Sequence, residues 1–527
     1  MKTSGKTKHR NNKVARILSE LSGFLPPQTM EFVKTQVKMS DRSKQGRRWT
    51  SKDKMFALSI YYQSQKAYKL LRKIFYLPSK STLQKTLQKT SIYAGLNEKI
   101  LHAVECKARY MQENDKDCIL LFDEMAIKEG LQYNQDGDFI EGFEDLGGFV
   151  QGKSSADHAA VFMIRGLQSK WKQPIAYFLV SGQIKPSTLQ VLTHACITKI
   201  EKTGLRVHAF VCDQGSNNRS FLESLEKVSL EKPYFLHNKK KVFVFYDPPH
   251  LLKSIRNNFK KTGFHWKGSY ISWDHVTDFY HLDKSMSVKM APKLKDKHIN
   301  LPPFSSMRVH LAAQVLSHSV AAGINTMAAF GKLSEGATMT AQFIDNFDKL
   351  FNAFNSGSLK SSQPMGHAFS EKSGHKEFLD TMTTFLDEIS LANGRSIPCL
   401  KGWKITINSL LSLWNNLKTS QNFLMTNRLN QDCLENLFSV IRGKCGHCDN
   451  SDAVQFRTAF QYVVVEKLFL QSENSNCKID FDNILLDLSC ITKGPTTSDD
   501  GEHEVRTSSR LQSSRTVSPL KCQVQTF

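Results

Sequence analysis

The chain has 527 residues, 40% of them hydrophobic and 23% charged, which is enough apolar material for about two to four domains with real cores. Its net charge of +22 is uneven: residues 1–100 carry 22 Lys and Arg against 5 Asp and Glu, so +17 of it lies in the first fifth. A basic arm on a nearly neutral body implies a polyanionic partner. With no apolar run of roughly 18 residues and no signal-peptide core at the N-terminus, DNA or RNA is expected rather than a membrane. Eleven Cys at irregular spacing imply reduced thiols in the cytosol or nucleus. The first of them is Cys106, so the basic region holds no Cys-ligated zinc finger.

Residues 1–45 read as a basic arm. Weak helical patterns at Val14–Leu21 and Met30–Val37 flank Pro26-Pro27, which suits a short dimerising helix or a solvated tail equally. Over 46–95 three short helices follow. Thr50-Ser51-Lys52-Asp53 is a capping box before Met55, Phe56, Leu58, Tyr61 and Tyr62. Tyr68, Leu70, Leu71, Ile74 and Phe75 mark the second helix, ended by Leu77-Pro78. Ser79 or Ser81 caps the third, with Leu83 and Leu87 inward. Its outer face makes Lys80, Thr82, Gln84, Lys85 and Lys89 candidate DNA contacts of a helix-turn-helix, although generic three-helix bundles share the pattern.

Residues 110–265 alternate strands and helices. Strands are expected at Cys118–Phe122, Ala159–Arg165, Ile175–Ser181, Val207–Cys212 and Lys241–Tyr246, helices at Thr188–Thr203 and Asn217–Val228. A hairpin in Ala126–Phe143 turns at Asp136-Gly137. The order βββαβαβ is that of an RNase H-like nuclease core. Two apolar runs end in carboxylates, Leu120-Leu121-Phe122-Asp123 and Phe210-Val211-Cys212-Asp213, the form of buried strands that deliver an acid to one sheet edge. A third acid, Glu435, sits where Leu434, Leu437 and Phe438 have helical spacing. Three such acids are the minimum that holds two divalent cations about 3.5–4 Å apart for phosphodiester chemistry; the bland alternative for each is a cap or salt bridge.

Residues 266–425 are helical in pattern (Val309–Gly323, Ala337–Phe354, Lys376–Leu391, Ile405–Leu417) and form an insertion, after which 426–475 completes the core. The tail, 493–527, is rich in Ser, Thr, Arg and Gln and is expected to be disordered. Cys445-Gly446-His447-Cys448 is too crowded for tetrahedral metal geometry.

Further motifs link these segments: Arg48-Trp49-Thr50 with Lys54-x-Phe56-Ala57-Leu58; Cys212-Asp213-Gln214-Gly215-x-Asn217-Asn218; Asp247-Pro248-Pro249-His250-Leu251-x-Lys253-x-x-Arg256-Asn257; and Asn430-Gln431-Asp432-x-Leu434-Glu435-Asn436. In this order, from Arg48 to Val463, they resemble the P element transposase family and its THAP-domain relatives. The resemblance implies an α/β fold: an RNase H-like core interrupted by a large all-α insertion and preceded by a helix-turn-helix domain. It also implies a DNA transposase that cleaves and joins DNA, with Asp123, Asp213 and Glu435 as catalytic acids holding Mg2+ or Mn2+. Double-stranded DNA, as transposon ends and target, is the implied partner, a homo-oligomer the implied state and the nucleus the implied compartment.

Within the insertion the resemblance implies GTP binding without a Walker motif, through Phe351, Asn352 and Asn355, with Asp432 as a further nucleotide contact near the metal site. The family's Asp stands here as Asn352, which offers one acceptor where a carboxylate offers two, so guanine preference is expected to be weak. Relatives also carry a zinc-coordinating THAP domain, for which this chain has no Cys and His set. The competing function is a domesticated, non-catalytic DNA-binding regulator.

Overall fold

A computed structural model describes residues 14–465, except 89–91, 136–137, 150, 226–227, 304, 364 and 445–449, together with 483–485. Lys89, the Cys445–Cys448 cluster and the tail at 493–527 therefore lie outside the described residues.

Four helices near the N-terminus share a small core of their own: α1 (Pro27–Ser40), α2 (Ser51–Gln63), α3 (Gln65–Ile74) and α4 (Lys80–Gln88). Ala57, Leu58, Tyr61, Tyr68, Leu77 and Leu83 are buried there, with Phe32 of α1 packed against them. The expected capping box forms: Thr50 Oγ1 accepts from the Asp53 amide at 3.2 Å, and Asp53 Oδ2 accepts from the Thr50 amide at 2.9 Å. Pro27 does not break α1 but starts it, at a position where a missing N–H costs nothing. The Gln36 carboxamide ties α1 to the bundle by exchanging two hydrogen bonds with the Tyr76 backbone, at 3.0 and 2.8 Å. Burial of Met30 and Met39 makes α1 a packed member of the bundle.

After α5 (Glu98–Ala108) comes the central sheet. Its main strands are β1 (Asp117–Ala126), β2 (His158–Gly166), β3 (Trp171–Val180), β4 (Arg206–Cys212), β5 (Tyr234–His237) and β6 (Lys240–Tyr246). In space they run β5-β6-β4-β1-β2-β3. Strands β1, β2 and β3 pair antiparallel, whereas β4 lies parallel to β1 and β6 parallel to β4. The crossover helices α6 (Pro186–Lys202) and α7 (Ser216–Ser224) let the chain return in the same sense. This is the strand order of an RNase H-like core. The middle strands carry long apolar runs because both faces are covered, and β3 is buried at every position, Lys172 and Gln173 included. Beyond β3 the short strands Phe143–Asp145 and Gln151–Ser155 extend the edge, and Gln132–Asn134 pairs with Phe139–Glu141 as the expected hairpin.

The helix α8 (Pro248–Lys261) leaves the sheet and leads into the insertion: α9 (Asp274–Ser285), α10 (Val309–Val315), α11 (His318–Ala329), α12 (Ala337–Ala353), α13 (His375–Glu388) and α14 (Pro398–Leu417). It is not wholly helical. Phe264–Trp266, Ser269–Ile271 and Ser390–Leu391 form a three-stranded sheet at its root, in segments too short to show a strand period. Helix α14 turns back onto the core, where Ser409 Oγ donates to Pro233 O at 3.1 Å and Thr406 Oγ1 accepts from the Tyr246 amide at 3.1 Å. The chain then completes the core with α15 (Asp432–Lys444) and α16 (Ala453–Val465).

Candidate active site

The last paired rung between β1 and β4 is Leu121↔Val211, and two residues beyond it on each strand stand Asp123 and Asp213. The apolar runs before them are fully buried, so the acids emerge together at the carboxyl ends of adjacent parallel strands. Each is oriented locally. Asp123 Oδ1 accepts from the Glu124 amide at 2.8 Å; Asp213 Oδ1 accepts from the Gly215 amide at 3.0 Å and from Asn218 Nδ2 at 2.5 Å. A Cβ on Gly215 would stand 3.1 Å from that same oxygen, so glycine is what allows the chain to turn this close to the carboxylate.

Glu435 arrives from far along the chain because residues 427–431 are bonded to the sheet. Arg428 Nη1 donates to Gly166 O at 2.8 Å, and Arg165 Nη1 donates to Asn427 O and Asn430 Oδ1 at 2.9 and 3.2 Å. Gln431 Nε2 donates to Phe122 O at 2.6 Å, one residue before Asp123, and its amide donates to buried Asp247 Oδ1 at 2.7 Å. Helix α15 then buries Leu434, Leu437 and Phe438 and leaves Glu435 half-exposed at the sheet edge.

Electrostatics bind these positions into one site. Burial, then the charges of Glu435 and Asp213, push the Asp123 carboxyl well above the usual range, against a smaller opposite pull from His250. His250 Nε2 is 3.8 Å from Glu435 Oε1, and its Nδ1 donates to Asp247 Oδ2 at 2.7 Å. Burial alone would lower the His250 pKa; the hydrogen bond and charge of Asp247 outweigh it and carry it up to about 9, so the ring is a cation at neutral pH. Lys253, one turn further along α8, is lowered chiefly by burial, while Glu435, Asp247, Asp213 and Asp123 all favour its charged form. Among the described residues no three acidic, His or Cys side chains already stand in metal-coordinating reach.

Asp247, His250 and Lys253 belong to the motif Asp247-Pro248-Pro249-His250-Leu251-x-Lys253, for which the sequence assigns no individual roles. Their signal was the i, i+3 spacing of His250 and Lys253 behind an Asp-Pro-Pro helix start, which puts a capping acid and two cations on one turn.

The expected nucleotide residues cluster at the end of α12. Phe351 packs partly buried against the core, and Asn352 Nδ2 donates to Asp348 Oδ2 at 3.0 Å. Among the described residues Asn355 Oδ1 is a buried acceptor without a hydrogen-bond partner. The segment is joined to the stretch that leads into α15: Thr426 Oγ1 donates to Ala353 O at 2.6 Å and accepts from the Ser356 amide at 3.1 Å. Asp432 opens α15, one turn before Glu435, and accepts from Asn430 Nδ2 at 3.0 Å. Of the expected DNA contacts, Lys80, Gln84 and Lys85 are exposed on α4, whereas Thr82 is half-buried with its hydroxyl 2.8 Å from Ser79 Oγ.

Four family descriptions match the chain in order: the Transposable element P transposase-like HTH domain over residues 11–85, the TNP-like RNase H N-terminal domain over 92–226, the TNP-like GTP-binding insertion domain over 249–367 and the TNP-like RNase H C-terminal domain over 427–461. The chain is 27% identical over 445 residues to the Transposable element P transposase of Drosophila melanogaster, covering 82% of this chain and 56% of that protein. It is 23% identical over 458 residues to the DNA transposase THAP9 of Homo sapiens, covering 80% and 49%. The chain thus spans about half the length of the curated relatives it matches. The solved structure of the Drosophila P element transposase strand transfer complex superposes with a TM-score of 0.74 at 25% identity, over 86% of this chain and 98% of that one. With four successive domain matches and a shared fold, the chain belongs to the P element transposase family.

Proposed function

We propose that this chain is a DNA transposase that cleaves and joins double-stranded DNA, with Asp123, Asp213 and Glu435 as the catalytic, metal-holding acids. The observation that carries the proposal is geometric: Asp123 and Asp213 stand two residues past the last shared rung of adjacent parallel strands, and burial together with the charges of Glu435 and Asp213 raises the Asp123 carboxyl. An all-oxygen donor set of this kind suits Mg2+ or Mn2+, and a bound cation would relieve the repulsion. When bound, such ions activate an attacking oxygen and stabilise a leaving one in phosphodiester cleavage and strand transfer.

The chain's own residues supply the rest. Gly215 and Asn218 hold the Asp213 carboxylate, the Glu124 amide holds that of Asp123, and the tie from Gln431 to Phe122 sets the height of Glu435. Protonated His250, anchored by Asp247, and Lys253 bring two cations to the edge where a scissile phosphate would lie. The insertion binds GTP at Phe351, Asn352 and Asn355, and the Thr426 bonds relay occupancy to the segment that carries Asp432 and Glu435. The protein acts in the nucleus, as a homo-oligomer on transposon ends and target DNA.

The second reading, a DNA-binding regulator without chemistry, is favoured by Asn352, whose amide is already engaged with Asp348. Incubating the purified chain with Mg2+ or Mn2+, GTP and labelled terminal-repeat duplexes separates the two. Metal-dependent nicking and joined products support the transposase; tight duplex binding with intact DNA in both metals supports the regulator.

A further inference from the structure

Beside the exposed face of α4 the helix-turn-helix domain has a second feature, a cleft of about 680 Å3. It lies between the strap that precedes α2 and the turn that joins α3 to α4. Six cations line it: Lys44, Arg47, Arg48, Lys54, Arg72 and Lys73, with no carboxylate among the lining residues. Among the described residues none of the six is ion-paired, although the same chain pairs many other surface Lys and Arg, as in Arg109–Glu105 and Lys404–Asp387. Six like charges around one cavity repel one another, and an anion in the cavity would relieve that repulsion.

The cleft is preformed. Arg47 lies over the Tyr76 ring, 4.2 Å from its centroid, and its buried Nε has no acceptor among the described residues. The Tyr76 backbone is held from both sides by Gln36, and Arg48 Nη1 donates to Gln45 O at 3.0 Å. Arg47 of the strap is therefore held against the wall of the cleft that Tyr76 forms.

We propose that this cleft grips the phosphate backbone of duplex DNA, next to the groove that α4 enters. The placement argues for duplex DNA. Ser79 and Thr82, at the start of α4, form one wall of the cleft, so a duplex that takes α4 in its major groove brings a flanking strand to this edge. The inference rests on the DNA-binding reading of the domain and adds a contact set that carries affinity without sequence information.

The test uses the full chain and fluorescence anisotropy with a labelled 30-base-pair duplex of arbitrary sequence, titrated from about 50 to 300 mM KCl. Arg72 and Lys73 are exposed, so Arg72→Gln/Lys73→Gln should leave folding intact. Losing two phosphate contacts should flatten the slope of log K against log salt by about 1.8 and weaken binding roughly equally for unrelated sequences. A matched Lys80→Gln/Lys85→Gln variant reports on α4 alone. If Arg72→Gln/Lys73→Gln keeps the parent slope and affinity while Lys80→Gln/Lys85→Gln loses them, the cleft is overturned and DNA binding by the domain stands. If the unmodified chain shows no salt-dependent duplex binding, both ideas fall together.

Discussion

The backbone N–H of Gln431 donates to Asp247 Oδ1 at 2.7 Å, across 184 residues of chain. Asp247 also accepts from the His250 amide at 3.0 Å and from His250 Nδ1 at 2.7 Å, so one buried carboxylate joins the end of β6, the start of α8 and the entry to α15. Replacing it by Ala strands three donors in the interior. Asp247→Ala should cost about 3–5 kcal/mol in equilibrium urea unfolding, more than an ordinary helix cap. A loss below about 1 kcal/mol would show that the junction is held elsewhere.

Among the acids, stability and activity should move apart. Asp123→Asn removes a charge disfavoured by burial, Glu435 and Asp213, so in metal-free buffer it should be neutral or stabilising by about 1 kcal/mol. The same change should lower metal-dependent cleavage by at least 10²–10³-fold, on the order seen when one transition-state contact is removed, as should Asp213→Asn and Glu435→Gln. An active Asp123→Asn protein would remove it from the metal set.

Asp348 makes a prediction about pH. Burial, with some help from Asp345, raises its carboxyl to about 6, above the unfolded value. The folded state thus holds the proton more tightly, and the favourable contribution is complete below the unfolded pKa, near 3.9, and is lost as pH rises through about 6. Asp348→Asn should therefore stabilise the nucleotide-free protein above pH 7, by on the order of 1–3 kcal/mol, and leave it unchanged near pH 4. Thermal melts of both proteins across this range decide it; equal differences at both ends would refute the assignment.

Nucleotide preference tests the insertion. Asn352 offers one acceptor oxygen and gives its amide to Asp348, so an unmodified site should discriminate weakly between GTP and ATP. Asn352→Asp supplies a second acceptor, and because an unpaired buried donor costs about 1–3 kcal/mol, GTP selectivity should rise by roughly five- to a hundredfold. Calorimetric titration of both nucleotides into both proteins is the measurement. Strong GTP selectivity untouched by the substitution would mean that another side chain reads the base.

Much of this molecule is written locally. The runs before Asp123 and Asp213 are continuously apolar because their strands are buried on both faces, and such runs are visible without coordinates. The Thr50–Asp53 capping box and the apolar spacing around Glu435 are equally local, since caps and helix faces involve residues three or four apart. The short edge strands and the small sheet at the root of the insertion were not legible, because two or three residues show no period. Nor was the role of Asp247, His250 and Lys253: an acid before Pro-Pro reads as a helix cap until Gln431 comes to rest on it. That Arg47, Arg72 and Lys73 face one cleft likewise depends on Gln36 fastening Tyr76 from another helix. Sequence by itself determined which residues end strands and cap helices, because those preferences act over a few positions. Which distant groups share one low-dielectric site, and therefore which carboxyl is raised and which imidazole is charged, was decided only when packing brought them within reach of each other's fields.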